Sequence, residues 1–322
     1  MLQIIRESIK DYGFSAKTAD IILSSRREST TKQYSITLRN GWIFVINKRQ
    51  IHCMHSNPRV RDFFTSLYEN IGYSALNTAR AAISSLVSLT DGYTVGNHPL
   101  ITRYFKGVFN LKPRYNQTWD VRLVLNYLRK LSLANKLGLK DLTLKTLMLL
   151  ALVSSQRQQT LHKLDVRKME LKVNKVIFFV EDLLKHNRPG NTGLKLEFCS
   201  YPPDRRLCIH TYLMEYLKRT KKCRGRETSL LVSYGKPFSK VSTSTIARWL
   251  RTVMHNAGVD VTVFKPHSIR SATVSRASAA NVPVLDILSH AGWKNEQTFQ
   301  RFYNKPVGKD CKQSVATAIL GN

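Results

Sequence analysis

The chain of 322 residues carries 51 Lys and Arg against 21 Asp and Glu, a formal net charge of +30. At roughly 100–200 residues per domain, that length suits two domains. With 43% hydrophobic and 9% aromatic residues the composition is globular and not that of a disordered chain. So strong a positive field suits a polyanion, nucleic acid first, and exceeds what an acidic small molecule requires.

The cysteines Cys53, Cys199, Cys208, Cys223 and Cys311 are odd in number and form no CxxC pair, so they read as free thiols in a reducing compartment. His52, Cys53 and His55 lie together, but no second pair at zinc spacing accompanies them, and neither metal nor cofactor is expected. The apolar run 147–153 falls far short of the roughly 20 residues of a membrane span. Charges inside the first apolar stretch argue against a signal peptide.

In chain order, helical periodicity runs through 15–27, 30–48, 58–70, the Ala-rich 74–89 and 99–109, with no convincing strand. The polar stretch 110–118, NLKPRYNQT, reads as a linker. Residues 1–118 hold 16 Lys and Arg against 7 acids, leaving 35 against 14 beyond, so both parts are basic.

After the linker the pattern mixes. Helices are expected at 119–131 and 142–155, the first amphipathic and the second apolar. A hairpin follows at 169–173 and 176–180, turning at Asn174-Lys175, and a third strand at 194–199. Helices resume at 205–220, 242–258, 267–280, 284–290 and 295–303. The fold class is mainly α with a small antiparallel β-sheet. The basic run 218–226, KRTKKCRGR, suits an import signal, a phosphate contact or a solvated helix end equally well.

His267 and Arg270, three apart, share one face near a helix N-terminus, where an anion is favoured. Alone, that pair reads first as a cap-region histidine and a solvated arginine, because basic residues are common throughout the chain. Farther on, Trp293, Phe299, Phe302 and Tyr303 read first as core aromatics, but neighbours Phe302 and Tyr303 cannot share one helix face.

Taken in order, Arg157, Lys185, His267, Arg270, Trp293 and Tyr303 resemble the Arg…Lys…His-x-x-Arg…His/Trp…Tyr series of the tyrosine recombinases, the phage-integrase superfamily. The stretches QRQQTLHKLD, DLLKHNRPG, YPPDRRLCIHTYLMEYLKRT, PHSIRSATVSRA and AGWKNEQTFQRFY are similar to recombinases of DIRS-like and Crypton-like eukaryotic mobile elements. The resemblance covers 119–322; the helical N-terminal part matches only in position and class.

It implies a two-domain architecture: an all-α core-DNA-binding domain at 1–109, the linker 110–118, an α+β catalytic domain at 119–306 and a tail helix at 307–322. The tail's Ala316, Ile319 and Leu320 would dock on a neighbouring subunit or on the tail's own chain. The implied activity is site-specific cleavage and rejoining of DNA through a 3′-phosphotyrosine, integrating a mobile element. Alternatives are a type IB topoisomerase-like relaxing enzyme and a DNA-binding protein that no longer cuts. Arg157 and Arg270 would clamp the phosphate, with Arg157 ending the buried helix, while His267 and the Trp293 indole hydrogen-bond to it. Lys185 would protonate the leaving 5′ oxygen, and Tyr303 would attack. Neither metal nor ATP is implied, in keeping with the missing phosphate loop.

The chain departs from the family pattern in places. Thr160 stands where many members carry a carboxylate, His290 is an alternative for the His/Trp position, and Phe302 occupies the commonest nucleophile spacing. Phenylalanine cannot attack, so Tyr303 is the candidate. Arg188, Arg248, Arg251 and Lys265 are expected to contact DNA. The expected partners are double-stranded DNA and further copies of the chain, four of them on two duplexes, with no membrane. The location would be nuclear in a eukaryotic host and cytoplasmic otherwise.

Overall fold

The computed structural model describes residues 13–25, 30–36, 57–85, 92–111, 117–180, 193–293 and 295–307. Lys185 and Arg188, the group His52, Cys53 and His55, the centre of the expected linker and the tail from residue 308 lie outside the described residues. The chain divides into two compact units, Met1–Arg114 and Tyr115–Asn322.

In the first unit the regular elements are helices: α1 (Ala16–Ser24), a helical stretch at 30–36, α2 (Asn57–Tyr68), α3 (Tyr73–Ser84) and α4 (Pro99–Leu111). Ser15 caps α1 by accepting the Thr18 N–H, and Pro99 opens α4, where a missing N–H costs nothing. The core joins Phe63 and Phe64 of α2, Leu76 and Ile83 of α3, and Ile101 and Phe105 of α4. Buried Ala79 and Ala82 keep α3 slim, and Phe64 meets Phe105 edge-on at 5.1 Å. Helix α4 continues to Leu111, inside the stretch read as a linker, because the first residue able to break it is Pro113.

The second unit contains α5 (Val121–Lys130), a 3-10 turn at Ala134–Lys136, α6 (Leu139–Ser154), α7 (Gln158–His162), the strands β1 (Met169–Lys172), β2 (Lys175–Val180) and β3 (Leu194–Cys199), then α8 (Ile209–Cys223), α9 (Thr243–Asn256), α10 (Ser268–Ala279), α11 (Val284–Ala291) and α12 (Glu296–Phe302). Helix α6 is buried almost all round, from Leu142 to Leu152, as a helix with no polar stripe must be. Helices α8, α9 and α10 and strand β3 surround it. Each leucine so enclosed contributes about 1.5–3 kcal/mol relative to an exposed one.

The sheet is antiparallel in the order β1-β2-β3. Lys172 pairs with Lys175, so the turn is Val173-Asn174, one residue earlier than the sequence suggested. The β3 side fixes this register. Ser200 N–H donates to the Asn174 carbonyl at 2.7 Å, Lys175 bonds Glu197 at 2.6 Å, and Val176 and Phe178 stay buried. A one-residue slip would turn those side chains outward. Helix α8 starts at Ile209 and not at 205, because Asp204 accepts the Arg206 N–H and the Arg129 guanidinium and closes a turn first.

Two arginines of the basic run 218–226 hold the fold. Arg219 donates to the carbonyls of Ala134, Asn135 and Leu137. Buried Arg224 donates to Ser229 and Leu230 carbonyls and to Thr220 Oγ1. Among the described residues no helix is long and apolar enough to cross a membrane.

Lys145, in mid α6, is fully buried; its Nζ donates to the Leu128 carbonyl at 2.7 Å and lies 4.2 Å from the Tyr212 ring centre. Burial pushes its pKa down to about 8, with Asp204 opposing and Arg206 assisting. Lys145 therefore binds fewer protons in the folded chain than in the unfolded chain between pH about 8 and 10.5, and its contribution to stability rises with pH across that window. Lys145→Met should match or exceed the wild type in urea unfolding at about pH 7, and its margin should shrink by about pH 10.

Candidate active site

The site begins where α6 stops. Ser155 turns left-handed (φ 50°), and its N–H returns to the Ala151 carbonyl at 3.1 Å. Arg157 therefore does not end the buried helix, as the sequence suggested, but is the extended N-cap of α7 (φ −73°, ψ 151°). The break releases the arginine from a helix whose residues are packed on every side. Thr160, where the family pattern favours a carboxylate, is buried one turn into α7.

Helix α10 supplies the second group. His267 is its exposed N-cap, and the following Ser268 is tied by its hydroxyl to the Trp119 indole N–H at 2.9 Å. One turn in, Arg270 is 4% exposed. Its Nη1 donates to the Ser155 carbonyl at 2.8 Å and its Nη2 to the Ala291 carbonyl at 2.6 Å. The guanidinium carbon lies 4.2 Å from the Trp293 ring centre and 5.7 Å from that of Tyr303. Burial, then the charge of Arg157, push Arg270 down to about 10, while Tyr303 acts in the opposite direction. It stays a cation at neutral pH.

The last group comes from the end of α12, which Asn295 caps by accepting the Gln297 N–H. Half-buried Tyr303 packs its ring against Trp293, centroids 4.5 Å apart and planes tilted by 42°. Arg157, His267, Arg270 and Tyr303 line one cavity of about 300 Å³, together with Gln156, Gln158 and Gln159 and the apolar Leu161 and Leu250. Two donors beside it have no hydrogen-bond partner: Arg270 Nε and the buried Trp293 Nε1.

Four of the six residues thus meet in one hollow. Trp293 packs under Arg270 and Tyr303, and Lys185 lies outside the described residues. His290 is placed elsewhere: its Nε2 donates to the Val153 carbonyl at 2.7 Å, and its own carbonyl accepts from Gln156, bracing α11 against the end of α6. Arg248 and Arg251 are exposed on α9. Lys265 is exposed as well, with its Nζ turned back on the Thr262 carbonyl at 3.0 Å.

Sequence reasoning missed the glutamines flanking Arg157, although the run QRQQ was in view. It also missed the hydroxyls: Ser155 bonds Thr273 at 2.9 Å, and Ser271 and Ser275 both reach the backbone of Tyr303. Nothing in the sequence marks those partners, which stand far apart in the chain.

A donor-rich hollow with two permanent cations, a histidine and a phenol suits an anionic oxygen cluster such as a phosphodiester. Comparison with known proteins agrees. No curated protein matches the chain by sequence. Its fold is similar to that of the XerH site-specific recombinase in a post-cleavage complex with palindromic difH substrate (TM-score 0.64, 9% identity, 90% of this chain and 80% of that one). It is similar to a lambda integrase dimer bound to a COC′ core site (TM-score 0.55, 14% identity, 91% and 77% covered). It also resembles the Tn1549 transposon integrase in complex with transposon right end DNA (TM-score 0.54, 11% identity, 99% of each chain). The phage integrase family profile matches residues 123–307, more than half of the chain. With that match and the recombinase fold around it, this chain belongs to the phage integrase, or tyrosine recombinase, family.

Proposed function

We propose that the chain is a site-specific tyrosine recombinase that cleaves and rejoins DNA without metal or ATP. One observation carries the reading: Arg157, His267, Arg270 and Tyr303 line a single cavity, and among the described residues no carboxylate hydrogen-bonds Arg270.

A phosphodiester resists attack because its charge repels nucleophiles and its alkoxide leaves poorly. Arg157 and Arg270 hold the non-bridging oxygens and stabilise the charge that grows on them in the pentacoordinate transition state. His267 hydrogen-bonds to the same phosphate and helps manage the phenol proton. Tyr303 Oη then forms a bond to phosphorus as the bond from phosphorus to the 5′ oxygen breaks, and Lys185 delivers a proton to that oxygen. The 3′-phosphotyrosine conserves the bond energy, and attack by a 5′ hydroxyl reverses the step.

The phrases shared with DIRS-like and Crypton-like elements support integration of a mobile element as the biological setting, with double-stranded DNA and further copies of the chain as partners. Four copies would bring two duplexes together. Exposed Arg248, Arg251 and Lys265 suit backbone phosphates, as does Arg188.

Incubated without magnesium with a labelled pool of nicked duplexes of randomised sequence, the wild type should form an adduct that survives a denaturing gel. Tyr303→Phe should form none, and an undiminished adduct would refute the assignment. Plasmid relaxation without joining of two sites would favour the topoisomerase-like reading. Arg270→Ala should also abolish the adduct, and it should lower stability by about 2–4 kcal/mol in urea unfolding, because the Ser155 and Ala291 carbonyls lose a buried donor.

A further inference from the structure

Two buried serines on α10 do something unusual for mid-helix hydroxyls. Such groups ordinarily return their proton to a carbonyl three or four residues back, as Thr273 does on this helix, donating to Ile269 and Arg270 at 3.1 Å each. Ser271 and Ser275 donate outward instead. Four residues apart, they share a helix face, and both hydroxyls reach one atom, the carbonyl oxygen of Tyr303, at 3.1 and 2.6 Å. Ser275 Oγ also accepts the backbone N–H of Lys305 at 3.0 Å, so it grips the chain on both sides of Asn304.

The gripped segment follows the last turn of a seven-residue helix. Helices this short hold their ends weakly by themselves, and the C-terminal carbonyls of any helix need outside donors. Beyond the grip, the Pro306 carbonyl accepts the Thr118 N–H at 2.9 Å. Two serine hydroxyls and one backbone amide therefore fasten the phenol-bearing residue to the helix that carries His267 and Arg270.

We propose that Ser271 and Ser275 are positioning residues that latch the backbone of Tyr303 to α10 and so hold its phenol in register with the phosphate clamp. The proposal rests on reading Tyr303 as the nucleophile. The latch touches neither phosphate nor leaving group, so its contribution lies in the geometry of attack, where an error near 1 Å costs about a hundredfold.

The test uses the full chain with the nicked-duplex pool at saturating protein. Ser275→Ala should slow adduct formation at least about tenfold, with DNA affinity within about twofold of wild type. The fall should be the same at every pH, since no titrating group is lost. Ser271→Ala, which loses the longer bond, should show a smaller fall of the same kind, and Ser275→Thr, which keeps the hydroxyl, should recover much of the rate. Independently of activity, hydrogen exchange at the Lys305 amide should accelerate in Ser275→Ala.

Wild-type rates in both alanine variants would overturn the latch. So would a rate loss matched by an equal loss of affinity, because that pattern marks general damage. If Ser275→Ala does not fold, Ser271→Ala is read by the same criteria. An adduct that persists in Tyr303→Phe would sink the nucleophile reading instead, while exchange at Lys305 still reports whether the latch exists.

Discussion

A permanently charged guanidinium enclosed by protein, with neutral oxygens as its hydrogen-bond partners, is the constraint around which the C-terminal unit is arranged. Taking an arginine out of water costs several kcal/mol. Two charge-assisted bonds from Arg270, each worth about 1.5–3 kcal/mol, and the Trp293 ring face, worth about 2 kcal/mol when desolvated, offset much of that cost. Its two carbonyl partners come from the end of α6 and the end of α11, so both helices must terminate where they do. The compensation is incomplete, because Arg270 Nε and Trp293 Nε1 remain unmatched.

The net charge of +30 is consequently not one uniform coating. Arg219 and Arg224 hold loop carbonyls, Lys145 sits inside the core, and Arg270 lies beneath the cavity. These cations are bound to backbone oxygens and have little to offer a distant polyanion. Long-range attraction falls to the exposed ones, such as Arg248 and Arg251 on α9, whose effect salt would screen.

Much of this was legible in the amino-acid order because local signals and burial agreed. Largely apolar 142–155 had no polar face to show water, so it became the central helix, and the continuously apolar 176–180, rich in β-branched and aromatic residues, became the middle strand. The spacing of His267 and Arg270 put them on one helix face, and the ordered set of six residues pointed to the family. Less legible were features set by partners distant in sequence. The one-residue shift of the hairpin turn depends on Ser200 and Glu197, and the late start of α8 on Asp204. The position of Arg157 depends on a left-handed serine, a conformation common for glycine and rare for serine. The glutamines around Arg157 carry no charge pattern to separate them from surface residues, and the burial of Lys145 contradicts the usual reading of lysine.

That left-handed serine has a wider consequence. The carbonyl of Ser155 holds Arg270, its hydroxyl holds Thr273, and Arg157 follows two residues later, so the separation of the two arginines is measured from the end of α6. A helix whose own side chains mostly face its neighbours acts as a ruler for the chemistry at its tip. Core exchanges along it that preserve length and end point should drift freely between relatives, whereas inserting or deleting a single residue would rotate the tip by about 100° and separate the pair.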